Sequence, residues 1–189
     1  MKEFATEQED FWAGKFGSNY IERNQGEIFL ASKTHLFSKI LNRTQSVQSV
    51  LEFGSNIGLN LSVIQQLLPK CEVSAIEINQ TAVEELKRLA IKHYHQSILE
   101  FESDYQRDLC LIQGVLIHMN PDVLQQVYTK LYEVSKRYIC VIEYYNPTPV
   151  ELNYRGHEGR LFKRDFAGEI LDKYPDLHLL DYGFCYHRD

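Results

Sequence analysis

The chain has 189 residues, 44% of them hydrophobic and 24% charged, with a formal net charge of −6. That length suits one domain with a full core, and the composition is that of an ordinary globular protein. The acidic balance excludes a duplex nucleic-acid binder resting on a basic surface, and no apolar run approaches the roughly 20 residues that span a bilayer. The opening residues Met1–Asp10 are acidic and polar, unlike a signal peptide, so a cytoplasmic protein is expected. Cys71, Cys110, Cys140 and Cys185 lie far apart, three of them in apolar runs, as reduced buried thiols do. Without an export signal, the N-x-S/T triplets at Asn42, Asn60 and Asn79 read as chance matches.

Residues 1–24 carry Phe4, Phe11, Trp12, Phe16 and Tyr20, an aromatic-rich leader expected to pack across the domain. Residues 26–42 have a helical rhythm, broken at Asn42–Ser46. Strands are then predicted at 49–53, 72–78, 96–101, 109–113 and 138–143, with a last strand region at 177–187. Helices are predicted at 59–68, stopped by Pro69, and at 81–93, 121–134 and 166–174. Strands alternating with helices predict an α/β fold, a mostly parallel sheet covered on both faces. The chain divides into a helical or lid region (1–45), a core (46–145) and a long irregular stretch at 146–165; loops of that length serve function or are disordered.

In such a sheet the ligand lies beyond the carboxyl ends of the strands, so the turn after the first strand is the best-placed loop. Here it is Glu52-Phe53-Gly54-Ser55-Asn56-Ile57-Gly58. Gly54 permits a tight turn, Gly58 a close approach of backbone to ligand, and Asn56 tolerates the left-handed region where such loops often have glycine. The second strand ends in Glu77-Ile78, and Glu77 stands 19 residues after Gly58. A carboxylate at that strand end accepts hydrogen bonds from both ribose hydroxyls of an adenosine.

Together these segments resemble the class I S-adenosylmethionine-dependent methyltransferases across roughly residues 45–145. Val50-Leu51-Glu52-Phe53-Gly54-x-x-x-Gly58 is similar to their first motif, which implies that Glu52 faces the methionine ammonium of the cofactor. The same resemblance implies that Ser97 and Ile98 flank the adenine and that Gln113, Gly114 and Val115 line the amino-acid end. Asn56 departs from the family's middle glycine. The family usually closes its sheet with a seventh, antiparallel strand; here the chain ends at Asp189, just after the sixth expected one. That strand is absent, the chain is truncated, or the strand count differs.

Methyl transfer asks mainly for alignment and exclusion of water, and needs a base only if the acceptor must lose a proton. His118, past the fourth strand end, is a candidate base or positioner. Tyr144 and Tyr145, after the fifth strand, are a candidate catalytic side chain and a pocket wall. The segment Asn153–Arg164 has four fixed positive charges and one negative, so Arg155, His157 and Arg160 are candidates for holding a small anionic acceptor. Tyr20 and the rest of the aromatic leader form either a lid over this acceptor or a plain cap on the sheet. The leader Phe11–Asn24, Gly114–Pro121 and Tyr144–Pro149 resemble the pseudaminic acid biosynthesis-associated methylases of bacterial surface-glycan clusters. That resemblance implies a nonulosonic sugar acid, or its nucleotide derivative, as acceptor.

Two other readings stand beside this one. A nicotinamide-dependent sugar dehydrogenase or epimerase would share the glycine turn and offer a Tyr132-x-x-x-Lys136 pair, but the turn lacks the middle glycine and no serine precedes Tyr132 at a plausible distance. A non-catalytic cofactor-binding protein could use an exposed sheet edge to recruit a partner. No metal site is expected: no Cys or His pair has zinc spacing, and His93 and His95 face different ways on the predicted helix.

Overall fold

The structure, a computed structural model, describes residues 4–23 and 27–186. Two short helices, α1 (Glu7–Ala13) and α2 (Lys15–Arg23), precede the long helix α3 (Glu27–Leu41). Then β1 (Ser49–Phe53), α4 (Leu59–Leu67), β2 (Glu72–Glu77), α5 (Gln80–Arg88), β3 (Lys92–His95) and β4 (Arg107–Gln113) alternate. Two short 3-10 turns, Leu116–His118 and Pro121–Val123, lead into α6 (Leu124–Val134) and β5 (Ser135–Ile142). A hairpin of β6 (Val150–Tyr154) and β7 (His157–Lys163) and the helix α7 (Phe166–Lys173) complete the elements.

The main sheet has the order β3-β2-β1-β4-β5, with every pair parallel. Order reverses between β1 and β4, the switch point at which open α/β sheets bind ligands. Strand residues alternate between two cores. Leu51, Phe53, Cys110 and Ile112 face one core with α6 and α7; Val50, Leu109 and Leu111 face the other with α3 and α4. Burial on both faces explains why these strands read as nearly unbroken apolar runs.

Several expectations need correction. The third strand is Lys92–His95, not 96–101, because α5 stops at Arg88. Ala90 takes φ 54°, and the bonds Ile91 N–H to Leu86 O and Ala90 N–H to Lys87 O close a Schellman cap. The cap uses alanine where glycine is usual, so the stop carries no sequence signal. His93 and His95 therefore lie on a strand and share a face; each ring bonds a backbone carbonyl, Ile91 O at 2.9 Å and Ile78 O at 3.2 Å.

The long irregular stretch is largely the β6–β7 hairpin. Arg155 (φ 52°) and Gly156 (φ 88°) make its two-residue turn, since both left-handed positions match the twist of the flanking strands. Residues 177–186 form no strand and most are exposed, Tyr182 and Phe184 at 86% and 87%; His187 lies outside the described residues. The main sheet thus has five strands among the described residues. Cys140 is only partly buried and Cys185 is exposed, against the expectation of buried thiols. Asn60 and Asn79 are buried and used internally, so neither is open to glycosylation. No helix among the described residues is long and apolar enough to cross a membrane.

Candidate functional site

The turn after β1 holds three left-handed residues, Gly54 (φ 74°), Asn56 (φ 50°) and Gly58 (φ 76°). A Cβ on Gly54 would stand 2.6 Å from Val115 Cγ2, so glycine lets the turn pass beneath the loop after β4. Beside Gly58 the space is filled by Leu86 and Ile91, so its freedom serves chain direction and packing against α5. Ser55 is buried, and its hydroxyl bonds Asn56 O at 3.3 Å.

Glu77 is buried and engaged. One carboxylate oxygen accepts from Asn56 N at 2.7 Å; the other accepts from Ile78 N at 2.8 Å and Asn79 N at 2.7 Å. It ties the glycine turn to the end of β2. Burial raises its pKa, and the three backbone donors oppose that rise.

Glu52 lies on β1 with 1% exposure. Oε1 accepts from Asn60 Nδ2, while Oε2 is buried with no hydrogen-bond partner among the described residues. Burial lifts its pKa to about 8; the Asn60 bond and the Lys33 charge only partly offset this. On the neighbouring strand Gln113 Oε1 is likewise buried and unpartnered. Buried polar atoms without partners are rare, and two at the switch point suit a polar ligand lying beyond the carboxyl ends of these strands.

The loop after β4 is held by a residue that sequence reasoning passed over. Glu143 Oε1 accepts from Val115 N and Leu116 N, both at 2.9 Å, and burial raises its carboxyl to about 7. Gly114 is exposed (φ 63°) and Val115 half-buried above the glycine turn. His118 is 9% exposed and its Nδ1 lies 2.6 Å from Arg160 O. A carbonyl only accepts, so Nδ1 carries the proton and Nε2 keeps its lone pair. Desolvation pushes this imidazole down to about 4, so it is neutral at pH 7.

Helix α1 roofs the carboxyl ends of the strands. A capping box of Thr6 and Glu9 starts it. Glu9 Oε1 accepts from Ser97 Oγ, and Asn79 Nδ2 reaches the carbonyls of Trp12, Ala13 and Gly14 at 3.0, 3.2 and 3.3 Å. On the other side Gln8 Nε2 donates to Gly159 O at 2.9 Å, and Arg160 pairs with Glu7 at 3.3 Å. Trp12 packs against His118 (4.6 Å between ring centroids), Tyr20 (5.4 Å) and Tyr154 (6.3 Å). Its Nε1 is buried without a partner among the described residues.

Sequence-predicted residues thus separate into groups. Glu52, Gly54, Ser55, Asn56, Gly58, Glu77, Ile78 and Gln113–Val115 meet at the switch point. Ser97 is buried under the roof, with Ile98 in the core beside it. Tyr20 and His118 meet through Trp12, and His157 packs on Phe11 and Phe16. Tyr144 and Tyr145 are 60% and 66% exposed and no ring contact joins them to the Trp12 cluster; Lys163 stands over the Tyr144 ring at 5.1 Å. The excess charge of the 153–164 segment is partly spent: Arg160 is tied to Glu7 and Arg164 to Glu169, while Arg155 is exposed, over Tyr154. Trp12 and Tyr154 entered the sequence reading only as part of the aromatic leader and of the 153–164 segment; Glu143, Lys33 and Asn60 were missed as site residues. A lysine on the apolar face of α3 was the one available signal.

Solved structures share this fold. The plantazolicin methyltransferase in complex with S-adenosylhomocysteine (SAH) and a monoazolic analogue matches with a TM-score of 0.55 at 21% identity, over 68% of this chain and 52% of that one. The sugar N-methyltransferase from Streptoalloteichus sp ATCC 53650 matches with 0.55 at 11% identity, over 82% and 65%. Coclaurine N-methyltransferase bound to N-methylheliamine and SAH matches with 0.62 at 14% identity, over 82% and 49%. The fold is that of the class I methyltransferases. The chain spans about half the length of the plantazolicin enzyme. No protein-family model matches the chain, and no curated protein does.

The Tyr132–Lys136 pair of the dehydrogenase reading sits elsewhere. Tyr132 stacks on Tyr174 at 3.9 Å and bonds Asp176, and Lys136 is exposed at the start of β5, the end of the strand away from the glycine turn.

Proposed function

We propose that the chain is an S-adenosylmethionine-dependent methyltransferase acting on a small-molecule acceptor. The observation that carries this reading is the pair of buried, unpartnered acceptors at the switch point, Glu52 Oε2 and Gln113 Oε1. An adenosyl amino acid has the groups they lack: Glu52 would take its ammonium, Gln113 would line the same end, and Glu77 and Asn56 would meet the ribose. When bound, the cofactor supplies an electrophilic methyl group on a sulfonium. The chain's part is positioning and exclusion of water. Helix α1 would help to exclude water by covering the carboxyl ends of the strands, and Trp12 and Tyr154, both packed on His118, would wall the acceptor side. His118 Nε2 would accept a hydrogen bond from the acceptor's N–H or O–H, aiming its lone pair at the methyl.

The acceptor we infer is anionic and sugar-like, a nonulosonic sugar acid or its nucleotide derivative. Exposed Arg155 at the hairpin tip and the resemblance of the leader and of residues 144–149 to the pseudaminic acid methylases support this. One of the solved structures sharing the fold is a sugar N-methyltransferase, which agrees with it. Tyr144, beside Lys163, and Tyr145 are then exposed rim residues rather than walls of the buried site.

Calorimetry with SAH and with NAD tests the cofactor. Saturable binding of SAH alone is expected; binding of NAD alone would overturn the reading. Incubation with labelled cofactor and a panel of amino- and hydroxy-sugar acids tests catalysis, and absence of transfer to every member would favour a non-catalytic cofactor-binding protein.

A further inference from the structure

Helix α3 turns Leu30, Phe37 and Ile40 toward the core shared with α4, and Lys33 falls on that same face. A lysine in an apolar row is costly, because its ammonium leaves water. Burial lowers its pKa, against which the Glu52 charge acts. Lys33 makes no ion pair among the described residues. Its Nζ donates to Asn60 Oδ1 at 2.5 Å, and Asn60 Nδ2 donates in turn to Glu52 Oε1. One carboxamide therefore stands between a buried cation and a buried acid. Each has capacity to spare: Lys33 has two further N–H donors, and Glu52 Oε2 has no partner.

A lysine is not needed merely to hold Asn60, since a neutral donor would do so without the desolvation cost. What a cation and an acid bridged by one amide match is an α-amino acid, which carries an ammonium and a carboxylate on one carbon. We propose that Lys33 and Glu52 together form a receptor for the zwitterionic amino-acid end of the cofactor, with Lys33 taking the carboxylate. The proposal rests on the cofactor reading above, which by itself gives the carboxylate no partner. A charge-assisted bond to a carboxylate in a partly desolvated site is among the stronger polar contacts available.

Decarboxylated S-adenosylmethionine, which keeps the ammonium and sulfonium, isolates the contact. By calorimetry the unmodified protein is expected to bind S-adenosylmethionine at least tenfold more tightly than this analogue. Lys33→Met should remove that preference by weakening S-adenosylmethionine alone, and Lys33→Arg should retain most of it. Equal weakening of both ligands would make Lys33 a structural support for Asn60 and overturn the proposal. So would equal binding of both by the unmodified protein, a result that stands even if Lys33→Met fails to fold. Failure to bind S-adenosylmethionine or SAH at all would instead sink the cofactor reading.

Discussion

Cofactor binding should release a proton from Glu52. In the unliganded protein its burial holds the carboxyl at about 8, so it is protonated at neutral pH. An ammonium ligand needs the carboxylate. If only the ionised form binds, the apparent dissociation constant scales as 1 plus ten to the power of 8 minus pH. That factor is about 100 at pH 6, about 11 at pH 7 and about 2 at pH 8. Affinity for SAH should therefore rise about ninefold from pH 6 to pH 7, about fivefold from pH 7 to pH 8, and level off above. At pH 7 about 0.9 proton should leave per ligand bound. Calorimetry in two buffers of different ionisation enthalpy reads that number directly. Glu52→Gln should bind more weakly and with a flat profile, which separates Glu52 from Glu143 and His118. Affinity that is constant over this range, or proton uptake on binding, would refute the role given to Glu52.

Four further outcomes follow from the geometry. Gly54→Ala places a methyl against Val115 at a left-handed φ and should cost about 1–3 kcal/mol in urea unfolding, with SAH binding lost; adding Val115→Ala should recover part of the stability. Asn79→Ala removes the cap of α5 and the anchor of α1, and should cost about 1–2 kcal/mol while shifting the emission of Trp12, the chain's single tryptophan. Glu143 is raised to about 7 by burial. A carboxyl raised on folding binds more protons folded than unfolded, so its contribution falls as pH rises from about 4.5 to about 7; Glu143→Gln should remove up to about 3 kcal/mol of that decline in melting experiments. Arg155→Ala should raise the KM of an anionic acceptor and leave SAH affinity unchanged, whereas Arg160→Ala should also shift Trp12 emission, because Arg160 is bound to the roof.

The parts of the site that sequence made legible are those that lie close together along the chain. Glu52, Gly54 and Asn56 belong to one strand and turn, and the alternation of strands with helices predicted the parallel sheet. What stayed hidden depends on contacts distant in sequence or on unusual local chemistry. Lys33 is linked to Glu52 through Asn60 only because α3 and α4 pack on the same face of the sheet, and Glu143 reaches Val115 only through the pairing of β4 with β5. The end of α5 was missed because alanine, not glycine, occupies the left-handed cap. The hairpin was missed because its glycines and charges outweighed the apolar rhythm of Val150, Leu152, Tyr154 and Leu161, although Arg155-Gly156 is a fair two-residue turn.

The roof joins the two halves of the proposed reaction. On the cofactor side α1 is held by Asn79 and Ser97; on the acceptor side it is held by Gly159, Arg160 and His118. Asn79 is also the residue after Ile78, and its backbone N–H binds the Glu77 carboxylate. A ligand that drew Glu77 toward its ribose would therefore act on the residue that anchors Trp12. The same helix carries Trp12 against His118, whose Nδ1 bond to Arg160 fixes the tautomer. Loading one half and closing the other would thus be connected through contacts that span no more than one helix, and an acceptor would meet an aligned His118 only beneath a seated roof.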